Sequence, residues 1–152
     1  MLDSHCKYTC DETVFDVITE ESAYWIGFLM ADGYISKPKE GKGNSTLALK
    51  LQSGDLKHIY KFRYFLKSDH PITDDNQGLA KRIRINSKQI SESLSNYGIV
   101  NKKSLIAKVK LLELDRDFWR GVVDGDGTIG IREKITWYKT TPHKYIPSSL
   151  VT

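Results

Sequence analysis

The sequence predicts an α+β protein organised around a duplicated helical segment. Three observations carry this: a string that recurs at a fixed distance, two runs that alternate apolar and polar residues, and two stretches with helical apolar spacing. At 152 residues, with 39% hydrophobic and 28% charged residues and only 4 prolines, the chain fits one ordinary domain or two small ones. Fibres, disulfide miniproteins and disordered segments fit that composition poorly.

The repeat comes first. YWIGFLMADGYI, Tyr24 to Ile35, aligns with FWRGVVDGDGTI, Phe118 to Ile129, at a constant offset of 94. Trp, Gly, Asp, Gly and Ile recur in register, and a small residue, Ala31 or Gly125, precedes each Asp. Acids stand before both copies (Glu20 and Glu21; Asp115 and Asp117), where the positive end of a helix favours them. Each copy then runs apolar and stops at Asp-Gly, glycine being a common helix stop because it accepts positive φ. Tyr34-Ile35-Ser36 and Thr128 to Arg132 follow and alternate as strands do. Gly27 and Gly121 fall mid-helix, where glycine costs roughly 1 kcal/mol relative to alanine, so a close approach of two backbones is expected there. Helices crossing at those glycines would bring Asp32 and Asp126 out side by side.

Between the copies, Leu47, Leu49 and Leu51 alternate with Ala48, Lys50 and Gln52, and Ile83 and Ile85 alternate with Arg82, Arg84 and Asn86. Both read as strands with an apolar core face and a basic, polar opposite face. Residues 55 to 67 read as a helix with Leu56, Ile59 and Leu66 toward the core. A further helix fits Ser87 to Tyr97, with Ser87 as cap, Ile90, Leu94 and Tyr97 on one stripe, and Gly98 as stop. Near the N-terminus, Val14, Phe15, Val17 and Ile18 suggest a short apolar segment beside the first repeat helix.

Charge is distributed unevenly. Residues 1 to 33 carry one base and seven acids, residues 34 to 110 sixteen bases and six acids, and residues 111 to 152 six of each. A basic body of this kind implies a polyanionic partner, most commonly nucleic acid, the alternative being a solvated lysine-rich surface. No signal peptide is apparent and the longest apolar run, Tyr24 to Ala31, is too short for a bilayer, so an intracellular protein is expected. Cys6 and Cys10, with His5, lack a fourth zinc ligand. His58, His70 and His143 show no partner in the sequence and read as ordinary surface residues.

Two carboxylates held together repel unless something positive lies between them, and oxygen ligands suit magnesium or calcium. Asp-Gly is also a plain turn signal, but its double occurrence within a preserved pattern favours a paired site. An EF-hand starting at Asp124 fails, because its glycine position holds Ile129 and its acid position Ile135.

At these residues the chain resembles the LAGLIDADG homing endonucleases, with Trp25 to Gly33 and Trp119 to Gly127 as the two motifs. The second motif conforms at Gly121, Asp124, Gly125, Asp126 and Gly127; the first carries Met30 where many members have an acid. The resemblance implies an αββαββα lobe whose antiparallel strands form a saddle over double-stranded DNA. It further implies motif helices packed at Gly27 and Gly121, and Mg2+-dependent cleavage of both strands. The metal-binding acids carry over to Asp32 and Asp126. Gln52, at a strand end before Ser53-Gly54-Asp55, is the first-lobe candidate for ordering the water, and Lys50, Gln52, Arg82, Arg84 and Arg132 are the candidate DNA contacts. Residues 1 to 117 then form the first lobe, with an N-terminal extension to about residue 19, and 118 to 152 the start of a second.

Only 25 residues follow the second motif, room for one hairpin, with strands expected at 129 to 139 and 145 to 151 and Pro142 near the turn. A fragment, a completing partner or second copy, or a decayed gene would each account for this. A non-cleaving binding protein on the same scaffold, such as a maturase or a regulator, is the main rival, and a packed-helix interaction module the second.

Overall fold

The computed structural model describes residues 7–38, 43–99, 112, 114–126, 134–137 and 142–145. The elements run α1 (Glu20–Asp32), β1 (Gly33–Ser36), β2 (Thr46–Gln52), α2 (Leu56–Phe65), β3 (Ile72–Asp75), β4 (Ala80–Asn86), α3 (Lys88–Ser95), α4 (Arg116–Asp126), β5 (Lys134–Trp137) and β6 (Pro142–Tyr145). The first seven give the expected αββαββα order. Their strands form one antiparallel sheet, β1-β2-β4-β3.

Helix α1 begins where Thr19 and Ser22 cap each other. The Thr19 amide donates to Ser22 Oγ at 2.7 Å, and the Ser22 amide to Thr19 Oγ1 at 3.1 Å. It ends at Gly33 for a reason other than the expected one. Gly33 has φ −79°, an ordinary extended value, so positive φ is not what selects glycine. A Cβ there would stand 2.6 Å from the Leu29 side chain and 2.9 Å from the Leu29 carbonyl oxygen. Closeness, not handedness, fixes the residue, and the chain passes directly from helix into β1.

The alternation in β2 and β4 sets the layers. Leu47, Leu49, Leu51, Ile83 and Ile85 are buried and join Ile26, Leu29, Ile59, Phe62, Leu66, Ile90 and Leu94 from the helices in one core. Phe62 occupies the core position expected for Leu56, which is only half-buried, because the inner stripe of α2 runs Ile59, Phe62, Leu66. Helix α3 follows the expectation closely. Ser87 Oγ accepts from the Ile90 amide at 3.1 Å, and Gly98 adopts φ +86° at the stop. Of the N-terminal apolar segment, Phe15 is fully buried, whereas Val17 and Ile18 are exposed.

Strands β5 and β6 pair antiparallel, with Lys134 opposite Tyr145 and Trp137 opposite Pro142. The expected hairpin therefore exists, but its second strand starts at Pro142, earlier than the sequence reading put it, because pairing with Trp137 brings Pro142 into the ladder. Residues 127–133, including Arg132 and the alternating Thr128 to Arg132 run, lie outside the described residues, as do His5, Cys6 and 146–151.

Candidate nucleic-acid interface and acidic rim

Helices α1 and α4 touch backbone to backbone at the two mid-helix glycines. A Cβ on Gly27 would lie 2.0 Å from the Phe118 carbonyl oxygen and 3.0 Å from the Val122 amide nitrogen. A Cβ on Gly121 would lie 1.9 Å from the Tyr24 carbonyl oxygen and 2.8 Å from the Phe28 amide nitrogen. Tyr24 and Phe28 are the repeat counterparts of Phe118 and Val122, so the contact is reciprocal about a pseudo-twofold axis. The glycine cost in each helix is offset by this approach.

One turn further on, Gly125 lies against its own counterpart, Ala31, whose Cβ would be 2.6 Å from a Cβ at Gly125. The Asp32 Oδ2 would be 3.7 Å from the same position. Advancing along α1 thus means advancing along α4. The helices run in the same direction, and Asp32 and Asp126, their last residues, leave from a common rim. Both carboxylates are exposed. Neither helix has a basic residue in its last turn, so two negative helix ends and their acids concentrate negative potential there.

Beside the rim opens a cleft of about 510 Å³ lined by Phe28, Asp32, Leu51, Asp55, His58, Val123, Asp124 and Gly125. The reading of His58 as an ordinary surface residue is corrected here. His58 packs against Phe28 and Trp25, with ring centroids 4.5 and 4.9 Å away, and its Nε2 is 3.1 Å from the Tyr24 hydroxyl. That hydroxyl donates to Asp124 Oδ2 at 2.8 Å. Its single proton being so committed, His58 Nε2 must carry the proton of the second bond. Burial, with Lys61 adding to it, holds the His58 pKa below the usual histidine value. Burial and the Asp124 bond push the Tyr24 pKa up, so the hydroxyl keeps the proton that it donates to Asp124. The sequence showed Asp124 in the motif and missed its bond, because residues one hundred apart in the chain make it.

The open face of the sheet is fixed by register. Lys50 pairs with Arg82 and Ala48 with Arg84, putting Lys50, Gln52, Arg82 and Arg84 together on the side away from the helices. Not all of this charge is equally available. Asp75, at the end of β3, takes a hydrogen bond from Arg82 and lies 3.5 Å from Lys50 Nζ. Burial alone would raise the Asp75 pKa, but the Asn76 amide, Arg82 and Lys50 outweigh it and hold the carboxyl below its usual value. The Arg82 Nε is buried without a partner. Arg84 is exposed and has no carboxylate partner among the described residues. Gln52, exposed at the end of β2, belongs to this face rather than to the cleft lining, which Asp55 and His58 supply instead.

No family model and no curated protein matches the chain. Among solved structures, it is similar in fold to a double lysine-to-alanine mutant of I-SmaMI, at 17% identity over 53% of this chain and 28% of that one, TM-score 0.37. It is also similar to the LAGLIDADG meganuclease I-CpaMI bound to uncleaved DNA, at 19% identity over 57% of this chain and 32% of that one, TM-score 0.40. The chain spans less than a third of the length of either.

Proposed function

We propose that this chain is a DNA endonuclease of the homing type, or a part of one, that grips duplex DNA on the open sheet face and hydrolyses phosphodiesters at the acidic rim. One observation carries the reading: two parallel helices, locked at Gly27 and Gly121, bring Asp32 and Asp126 out at a rim with no base in either last turn. Two carboxylates leaving one rim are an arrangement that a divalent cation can bridge.

The donor set fits magnesium. Among the described residues no three His, Cys, Asp or Glu side chains converge as a protein-only cage. Magnesium asks for less, usually keeping several waters and taking one or two carboxylates plus substrate phosphate. Bound by Asp32 and Asp126, it would supply Lewis acidity toward the phosphate and a more acidic water. The chain's own groups hold the substrate. Lys50, Arg82 and Arg84 lie where a sheet seated in a groove meets phosphates, and Gln52 stands at the strand end nearest the rim. Residues to 117 act as one lobe, and residues from 118 begin the second. Trp119 and Val123 of α4 are 49% and 36% exposed, whereas their counterparts Trp25 and Leu29 are buried in the core. A fuller second lobe, or a second copy, would cover them. The same reading puts the protein inside the cell, where its substrate is.

The test is cleavage of a randomised plasmid library in Mg2+, with end sequencing to find the target, followed by Asp32→Asn and Asp126→Asn on that target. Loss of cutting with DNA binding retained is the expected result. Normal cutting by either variant removes the assigned role, and binding without any cutting by the parent chain favours the non-cleaving reading.

A further inference from the structure

The outer side of α2 carries a pattern that the sheet face and the rim leave unused. With Ile59 and Phe62 turned to the core, helical spacing brings Tyr60, Lys61, Tyr64 and, just past the end, Lys67 onto the solvent side. Tyr60 is 48% exposed and Tyr64 86%. This stripe borders a groove of about 1220 Å³ that runs across to α1 and α4 and is lined also by Tyr24, Arg63 and Arg120. Both arginines lie over tyrosine rings, Arg63 at 5.0 Å from the Tyr60 centroid and Arg120 at 4.9 Å from that of Tyr24.

We infer that this groove binds single-stranded nucleic acid, separately from the duplex surface on the other side of the sheet. Volume argues for a polymer, since small-molecule sites usually fall within about 300–1,000 Å³. Charge argues for a polyanion. The acids lining the groove are Glu21 and Asp124, against Lys61, Arg63, Lys67 and Arg120. Lys67 is paired with Asp11 at 3.1 Å and Arg120 with Asp117 at 3.3 Å, which leaves Lys61 and Arg63 without a carboxylate partner among the described residues. The tyrosines decide the strandedness. An exposed ring or a guanidinium plane stacks on an unpaired base, and in a duplex those base faces are already covered. An acidic peptide would satisfy the bases and leave Tyr60 and Tyr64 idle.

The experiment is fluorescence anisotropy on the full chain, with a labelled RNA oligonucleotide, the DNA strand of the same mixed sequence, and that DNA as duplex. Tyr60→Ala/Tyr64→Ala should weaken both single strands by about tenfold or more and leave the duplex unchanged. Tyr60→Phe/Tyr64→Phe should restore binding, because the ring does the stacking. Arg84→Ala should show the opposite preference, weakening duplex alone. Both tyrosines lie at the surface, so a melting curve matching the parent's excludes misfolding as the cause. Tighter binding of the RNA strand assigns a contact to the 2′-hydroxyl; equal binding assigns recognition to bases and phosphates. Unchanged single-strand binding by the alanine pair overturns the inference, as does displacement of the strands by duplex at equal concentration. Polyglutamate that binds the groove more tightly than either strand overturns it in favour of an acidic protein partner.

Discussion

Tyr24 and Asp124 bind each other across the seam between α1 and α4, and the repeat does not reproduce the bond on the other side. The hydroxyl donates to Asp124 Oδ2 at 2.8 Å, while the positions related by the offset of 94 are Phe118 and Met30. Neither can make such a bond. A seam whose glycine contacts are reciprocal thus carries one polar side and one apolar side. Two copies of α1 packed on each other would bring Tyr24 opposite Met30, so the pair favours α1 meeting α4.

Removing the pair should reveal its coupling. Tyr24→Phe and Asp124→Met, singly and together, should give a double-mutant coupling of about 0.5–1 kcal/mol by urea unfolding, modest because Asp124 faces solvent. Strict additivity would mean that the bond contributes nothing to the seam.

The glycines at the crossing should be intolerant. In a free helix Gly→Ala gains about 1 kcal/mol. Gly27→Ala or Gly121→Ala forces a methyl to within 2.0 or 1.9 Å of a carbonyl oxygen, and the helices must part. A loss of about 3 kcal/mol or more is expected at each. Gly54→Ala, with nothing within 4 Å of the added carbon, should stay within about 0.5 kcal/mol of the parent.

Acid should destabilise the fold in a definite window. Burial lowers the folded-state pKa of both His58 and His70. Below about 6.5 the unfolded chain then takes up more protons than the folded one, so stability is full above that value and falls as pH drops toward the folded pKa values. Asp11, held at about 2 by bonds from Thr13 and Lys67, gives up its contribution only at much lower pH. Melting temperature followed from pH 7.5 to 5 should fall in the parent and fall less in His58→Gln. A parent curve flat across that range would contradict the assignment.

The Asp75 pairing should restrain DNA affinity. Asp75→Asn releases Lys50 and Arg82 and should steepen the slope of log K against log salt for duplex binding by about one to two phosphate equivalents. Arg84→Ala should flatten it by about one. An unchanged slope in Asp75→Asn would show that the two bases do not face phosphate.

Much of this protein was legible in its residues. Alternation in 46–52 and 80–86 defined two strands and their inner faces, because burial on one side of a pleat imposes a period of two. Ser87 and Gly98 marked both ends of α3 through local capping chemistry. The duplicated glycines announced a helix contact, since little else repays glycine inside an apolar helix. The errors have a common origin. Gly33 was assigned to positive φ, but Leu29, folded back against it, is what excludes a side chain. His58 had no visible partner because Tyr24, Trp25 and Phe28 reach it from another helix. Lys50 and Arg82 read as uniform basic charge until β3 brought Asp75 between them. Periodicity and capping are written in neighbours along the chain, so the sequence by itself determined most of the elements, the inner faces of β2 and β4 and the existence of the seam, whereas β3 (Ile72–Asp75) is too short to carry a readable pattern. The direction of the crossing, the shared rim and the pairing of distant charges depend on which surfaces meet in space, and only the tertiary structure decided those.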